Sequence, residues 1–295
     1  MSMPTLSTTN LVLAADAAID LQLHTTASDG QWEAAELIGY LKREGFGLAA
    51  ITDHDRPELA KSIQELALAE AMPLLVAAEL SCVWREQMVD VLCFGFTLEP
   101  NPLTALAADL HQRQRTMIAN AYAYCCDAGF LTAQLQPQLE TILKQPSASQ
   151  PHAFAALVKQ QNPGLTPAQF SQLMQAAGCD FATTPIAAVV AAAQQSGAVC
   201  ILAHPGRSDG FVCFDQPLLE QLWAEVALDG LEVEYPLHTP QQIAMYRAFA
   251  AQRSLLTSAG SDSHRPSKPP IRYRAGDYRA LLGRLGVVVA EDHDA

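Results

Sequence analysis

DLQLHTTASDG, Asp20 to Gly30, is where a strand hands over to a turn rich in polar groups. Apolar Ile19, Leu21 and Leu23 alternate with Asp20, Gln22 and His24, the period of a half-buried strand. The run ends in an imidazole, and a turn of small residues then presents Asp29 beside Gly30. A histidine at a strand end with a carboxylate one turn later is half of a metal site. Gln22 stands where a second histidine would complete a His-x-His pair.

Outward from this stretch the same handover recurs. A helix is predicted over Glu33 to Glu44, then a strand over Gly47 to Thr52 that ends in Asp53-His54-Asp55, then a helix from about Pro57 to Glu70. Apolar runs follow at Pro73 to Leu80, which carries Glu79, and at Met88 to Phe96, which carries Asp90. Short apolar runs separated by amphipathic helices read as strand–helix units of a largely parallel α/β sheet, open or closed into a barrel. In such folds sites assemble at the carboxyl ends of the strands.

From residue 97 to 184 the rhythm changes to alanine- and glutamine-rich helical periodicity broken by prolines, which predicts an inserted helical cap subdomain. The strand–helix alternation resumes over 185–295, with strands at Ala198 to Arg207, Gly230 to Tyr235 and Ser254 to His264. The expected organisation is therefore an N-terminal arm (1–18), a first part of the α/β domain (19–96), the insertion (97–184) and a second part (185–295).

Composition bounds the function. Of 295 residues 49% are hydrophobic and 17% charged, which fits a globular chain with a large core. A net charge of −13 opposes any protein that coats nucleic-acid backbones, so no duplex nucleic acid is expected as a partner. No apolar run approaches the roughly 20 residues that span a bilayer, and residues 1–17 lack a signal-peptide pattern. Seven cysteines without a C-x-x-C spacing fit a reducing, cytoplasmic setting.

The strand ends carry one constellation: His24 with Asp29, His54, Glu79, His204, and Asp262 with His264, with Asp90 as a further contributor. Any one of these residues alone reads as a packed or surface group. As a set they point to metal ligands, because charged side chains are rarely buried unless paired or coordinating. Imidazoles mixed with carboxylates suit Mn, Fe or Zn rather than Mg or Ca. Neighbouring ions can bind a phosphoryl oxygen and lower the pKa of a shared water, so hydrolysis of a phosphate ester follows. Arg207, three residues past His204, can clamp a phosphate bidentately. His152 and His238 are further candidates for substrate contact. Ser261 and Ser263 lack a nucleophile elbow and read as turn residues.

DLQLHTTASDG, ITDHD, AAELS, ILAHPGR and AGSDSH, in that order, resemble the polymerase and histidinol phosphatase (PHP) superfamily of metal-dependent phosphoesterases, nearest to members that act on nucleoside 3′,5′-bisphosphates or the 5′ ends of short RNAs. The likeness runs from about Asp20 to His264. It implies a distorted (β/α)7 barrel holding two or three ions. His24, Glu79 and Asp262 would share one; Glu79, Asp90 and His204 a second; Asp29, His54 and His264 a third. It also implies attack on phosphorus by a hydroxide activated on those ions, with Asp262, His264 and Arg207 as the catalytic groups and a nucleotide or oligonucleotide phosphate as substrate. One enzymatic and one non-enzymatic alternative stand beside this: a phosphatase for a small metabolite such as histidinol phosphate or a sugar phosphate, and a noncatalytic metal- or nucleotide-binding protein. Gln22 and Asp90 depart from the family pattern, each at a position where histidine is common. Gln22 offers only a neutral amide oxygen, while Asp90 adds a hard anionic one and tilts the metal preference to Mn or Fe(II). The oligomeric state is not legible in the sequence.

Overall fold

The computed structural model describes residues 6–291 of the chain, so the first residues of the N-terminal arm lie outside the described residues. Its strands are β1 (Val12–Leu13), β2 (Ala18–Leu23), β3 (Phe46–Ile51), β4 (Ala77–Trp84), β5 (Gln87–Phe94), β6 (Thr184–Pro185), β7 (Val199–Leu202), β8 (Gly230–Glu234), β9 (Leu256–Ala259), β10 (Tyr273–Arg274) and β11 (Val288–Val289). Its helices are α1 (Ala34–Arg43), α2 (Ala60–Glu70), α3 (Pro102–Asp127), α4 (Gln136–Leu143), α5 (Gln150–Gln161), α6 (Pro167–Ala176), α7 (Ile186–Gln195), α8 (Gln216–Glu225), α9 (Pro240–Arg253) and α10 (Arg279–Arg284). None of the helices among the described residues is long and apolar enough to cross a membrane.

Local chemistry sets these boundaries. In α1 the apolar face of Leu37, Ile38 and Leu41 is buried, with Glu36 in the first turn and Lys42 and Arg43 in the last, each complementing the helix dipole. Thr239 opens α9 and Thr166 opens α6, each with a reciprocal capping box to the glutamine three residues on and a proline at the first helical position.

The strands form an α/β architecture of open sheets, ordered β10-β2-β3, β6-β4-β5-β7-β8-β9 and β1-β11. A fully closed barrel is not what the hydrogen bonds draw. The three- and six-stranded sheets meet only through isolated bridges, Ala49 to Leu74 and His54 to Glu79 on one side and Leu23 to Ser263 on the other. The ladders slip in register between Asp20 and Leu23 and between Glu232 and Glu234, where the strands splay to deliver polar side chains. Even so, Leu21, Leu48, Leu92, Ile201 and Ala259, drawn from both sheets, pack in one core with Leu281 and Leu282 of α10. Helices α1 and α2 cover the outer face of β2 and β3 through Leu37, Leu41 and Ile63.

The expectation of a largely parallel sheet needs a second correction, because β5 runs antiparallel to both β4 and β7. Strands β4 and β5 form a hairpin whose two turn residues, Arg85 and Glu86, have φ of 49° and 65°. That is the backbone of a two-residue hairpin turn, built here without the usual Asn-Gly or Asp-Gly signal. Glu79 therefore lies inside a strand, two residues after its start, rather than at a strand's carboxyl end.

The chain falls into two compact units, residues 1–106 with 184–295, and residues 107–183. In the second unit Phe154 and Val158 of α5 pack with Ile118, Tyr122 and Cys125 of α3 and Leu173 of α6. Its ends are stapled together: Arg113 donates to the Thr183 carbonyl at 2.8 Å, and the Gln114 side chain accepts from the Ala182 amide at 2.6 Å. The sequence reading missed α4, whose proline at the start of the helix reads equally well as a break.

Candidate metal centre

The strand ends are stitched to one another by backbone hydrogen bonds, and this brings distant ligands together. The His24 amide donates to the Ser263 carbonyl at 3.0 Å, the Asp262 amide to Gln22 at 3.0 Å, and the Asp55 amide to Glu79 at 2.8 Å. Gly30 must be glycine, because a Cβ there would lie 2.6 Å from the His24 carbonyl oxygen. Asp262 and His204 are held at φ of 52° and 26°, in or near the left-handed region that side chains other than glycine rarely adopt. Strained backbone at two candidate ligands fits a site whose geometry is imposed by the surrounding fold.

The side chains converge in three overlapping groups: His24, Asp29, His54 and His264; His24, Glu79 and Asp262; and His54, Glu79 and Asp90, with the potential ligand atoms of each group within 4.8 Å of one another. The grouping differs from the one implied by the family resemblance, since His24 joins the first group and His54 stands with Glu79 and Asp90. His204 adjoins that last pair, its Nε2 lying 3.1 Å from Glu79 and 3.7 Å from Asp90. The imidazoles of His54 and His264 each stack on His24, at 4.6 and 4.2 Å between centroids. Asp29 caps the stack from the open side, 3.3 Å from His264 Nε2.

These groups fit divalent cations better than a hydrogen-bonded network. His24 Nε2 lies 3.1 Å from both Glu79 and Asp262, yet neither of its ring nitrogens has a partner at hydrogen-bonding angles. The same holds for His54 Nδ1 and for both carboxylate oxygens of Asp90, all buried. Buried polar atoms without partners are rare, and so many aimed at one place call for a positive ion to satisfy them.

The electrostatics agree. Burial raises the Asp90 carboxyl well above the usual range, and neighbouring Glu79 and Asp55 raise it further. Burial acts in the same direction on Glu79, but the imidazoles of His54, His204 and His24 outweigh it and hold the carboxylate ionised. Burial opposes charge on His24, yet Asp262 and Glu79 lift its pKa well above 6.5. His264 is raised too, with Asp29 and Asp262 overcoming burial and the adjacent His24. Each of these shifts favours the protonated form of His24, His264 and Asp90, with which a cation must compete. Metal loading near pH 7 is expected to release protons, and affinity is expected to climb as pH rises from about 6 to about 8, because ordinary imidazoles would already be neutral over the upper part of that range. Titration in weakly buffered solution checks this, and a pH-independent affinity with no acid released would contradict it.

Positioning groups surround the ligands. Asp53 accepts from the Thr25 amide, the Thr25 hydroxyl and the Ser28 hydroxyl, all at 2.7 Å, and so fixes the turn that carries Asp29. Asp55 accepts from the amide and hydroxyl of Ser81 at 2.9 and 3.0 Å. Tyr235 donates to Asp262 at 3.3 Å. Buried Asp20 ties β2 to the Ser261 and Ile271 amides, both at 2.9 Å. The sequence marks Asp53 and Asp55 only as acids flanking His54 among the potential ligands, and it gives Asp20 and Tyr235 no role; the available signal for those two is an acid or tyrosine at the edge of an apolar run.

Among the substrate-side candidates, Arg207 stacks on Phe211 at 4.2 Å and is held bidentately by Asp209 at 2.6 and 3.2 Å. Its charge lowers the pKa of the candidate ligand Asp90, and the Asp262 carboxylate in turn favours the charged guanidinium. His238 has both ring nitrogens engaged: Nε2 accepts from the Gly206 amide at 3.0 Å, so Nδ1 carries the proton donated to the Val233 carbonyl at 2.9 Å. It props the turn that presents Arg207 and has no nitrogen left for a substrate. His152 is exposed in the helical unit, edge-on to Phe181 at 5.3 Å. Gln22 is completely buried, and its amide nitrogen donates to both Glu79 oxygens at 3.0 and 2.9 Å.

In sequence the chain is similar to an exoribonuclease, a phosphatase and a diphosphodiesterase, and in fold to a metal-dependent phosphoesterase and an amidohydrolase. No protein-family profile matches the chain. It is 27% identical over 255 residues to the 5′-3′ exoribonuclease Rnm of Escherichia coli, covering 84% of this chain and 85% of that one. It is 26% identical over 274 residues to the 3′,5′-nucleoside bisphosphate phosphatase of Chromobacterium violaceum, covering 85% and 89%. A phosphoribosyl 1,2-cyclic phosphate 1,2-diphosphodiesterase of Eggerthella lenta is 25% identical over 251 residues, covering 83% and 93%. The fold matches a metal-dependent phosphoesterase from Bifidobacterium adolescentis with a TM-score of 0.69 at 22% identity, over 91% of this chain and 96% of that one. An amidohydrolase from Chromobacterium violaceum matches with a TM-score of 0.68 at 21% identity, over 91% and 97%.

Proposed function

We propose that this chain, a homologue of nucleoside bisphosphate phosphatases and Rnm-type exoribonucleases with the fold of a metal-dependent phosphoesterase, hydrolyses a phosphate ester of a nucleotide or of a short RNA end. The observation that carries the reading is the convergence of His24, His54, Glu79, Asp90 and Asp262, with buried, unpartnered ring nitrogens and carboxylate oxygens, in three overlapping groups. On this reading one ion would be held by Glu79 with His24 and Asp262, a second by Glu79 with His54, His204 and Asp90, and a third by Asp29 and His264, with each imidazole ligating a single ion. When bound, divalent ions supply Lewis acidity to the phosphoryl oxygens and lower the pKa of water. The oxygen-rich donor set, with Asp90 and Gln22 in place of histidines, favours Mn among them. The single bridges at both seams support a distorted seven-stave barrel made of β2, β3, β4, β5, β7, β8 and β9. Absence of C-x-x-C spacing supports a cytoplasmic setting.

The chain's own residues then divide the work. The Arg207 guanidinium, held by Asp209 and stacked on Phe211, orients non-bridging phosphate oxygens. His264, 30% exposed at the mouth and pinned between Asp29 and Asp262, holds or passes a proton at Nε2. Substituting Arg207→Ala is expected to raise KM about tenfold or more with a smaller effect on kcat, and Arg207→Lys to recover only part, because an ammonium does not reproduce the guanidinium fork. The reading also carries His152 as a phosphate contact, which the KM of His152→Ala checks.

The direct test is elemental analysis of protein equilibrated with Mn, followed by phosphate release from a nucleoside 3′,5′-bisphosphate, a 5′-phosphorylated short RNA, a ribosyl cyclic phosphate and histidinol phosphate. Retained Mn with turnover of one of the first two is the expected result. No retained metal, or Mn binding with saturable nucleotide binding and no turnover of any ester, would overturn it.

A further inference from the structure

Gln22 is the residue that sets this site apart, and its surroundings assign it a second orientation. As placed, Nε2 donates to both Glu79 oxygens, which leaves Gln22 Oε1 buried and without a partner. Rotating a carboxamide by 180° exchanges oxygen and nitrogen with almost no change of shape. The rotated amide would offer Oε1 to the same place at which His24 Nε2, Glu79 and Asp262 meet, and would need an acceptor for its N–H groups on the other side.

Glu232 can supply that acceptor in its ionised form, which burial disfavours and a bound cation would favour. It sits on β8, completely buried, with Oε2 fixed by the His204 amide at 2.9 Å and Oε1 without any partner. Gly260 brings the two side chains near one another: a Cβ there would lie 2.4 Å from Gln22 Cβ and 2.7 Å from Glu232 Oε1. Both atoms border the same unfilled position, a separation that a glutamine side chain spans. One rotation thus gives partners to two buried oxygens that otherwise have none, and it turns a neutral oxygen donor towards the metal ligands.

We propose that Gln22 is an oxygen ligand of the ion held by His24, Glu79 and Asp262, that Glu232 is the positioning residue that receives its amide N–H, and that this pair shifts the preference of the group from Zn towards Mn. The inference rests on the metal-dependent reading above. An imidazole at position 22 would add a nitrogen donor, which Zn favours, whereas an amide oxygen keeps the group oxygen-rich and hard. Glu232→Gln is the informative substitution. Its oxygen stays with the His204 amide, so its nitrogen faces Gln22 and demands an oxygen there, which locks the Gln22 amide with Nε2 on Glu79.

The experiment is a double-substitution cycle on the full chain, stripped with chelator and titrated with Mn alone and with Zn alone by calorimetry, with melting in chelator as the folding control. Glu232→Gln is expected to weaken the Mn affinity of this group at least tenfold, and Gln22→His to shift the Zn-over-Mn preference at least tenfold towards Zn. In the Gln22→His background Glu232→Gln is expected to cost less than twofold. An effect of Glu232→Gln under twofold in the parent chain, or equal in both backgrounds, would overturn the assignment. Should Glu232→Gln fail to fold, Gln22→Met decides: it is expected to lose at least tenfold in Mn affinity, and an unchanged affinity would overturn the assignment. A parent chain that takes up no Mn overturns this inference together with the function proposed above; a parent chain that binds Mn but ignores these substitutions overturns the Gln22–Glu232 assignment alone.

Discussion

Glu79→Gln is expected to remove at least one ion per chain and to lower phosphate-ester hydrolysis on the order of 10³-fold or more. Glu79 is completely buried at the middle of the site, where its oxygens meet His24 Nε2 and His204 Nε2, each at 3.1 Å, and the Gln22 amide. It belongs to two of the three ligand groups, so neutralising it weakens both. The substitution keeps the shape but sets one carboxamide against another and leaves three imidazoles facing a neutral group. Elemental analysis beside steady-state hydrolysis reads the outcome. Hydrolysis within tenfold of the parent, at unchanged metal content, would show that Glu79 is not a shared ligand.

His264→Ala is expected to lower kcat by about 10²- to 10⁴-fold, with little change in KM. His264 lies at the open end of the imidazole stack, 3.3 Å from Asp29 and 3.4 Å from Asp262. His54 and His264 are both partly exposed, and His264 is the one set against both Asp29 and Asp262, so it can exchange a proton with a substrate or with solvent. Its signature is opposite to that of Arg207→Ala, which is expected to act mainly on KM. Undiminished hydrolysis by His264→Ala would take this residue out of the mechanism, and equal losses in kcat from both substitutions would merge their roles.

Much of the site was legible because its ligands follow apolar runs. DLQLHTTASDG, ITDHD, ILAHPGR and AGSDSH each couple a strand to a polar turn, and the structure brings His24, His54, His204, Asp262 and His264 together from these turns. The sequence places Glu79 at a strand end and Asp90 inside an apolar run, whereas the β4–β5 hairpin sets both inside strands. That hairpin left little trace in the sequence, since Arg85 and Glu86 adopt positive φ without glycine or asparagine. His238 illustrates the opposite case. Its place after a strand suggested a substrate contact, whereas hydrogen bonds to Gly206 and Val233 use both of its nitrogens.

By itself the sequence determined much of the alternation of strands and helices, a helix-rich stretch in the middle of the chain and the candidate ligands, because periodicity and residue chemistry are local properties written along the chain. Only the tertiary structure decided which candidate ligands share a group, that the sheets are joined by isolated bridges rather than continuous ladders, and that the Gln22 side chain is buried against Glu79. Those outcomes depend on backbone contacts between segments far apart in the chain, such as His24 with Ser263 and Asp55 with Glu79, and on the absence of a side chain at Gly260. No local pattern encodes such contacts, since they form only when the strands that carry them are packed around a common core.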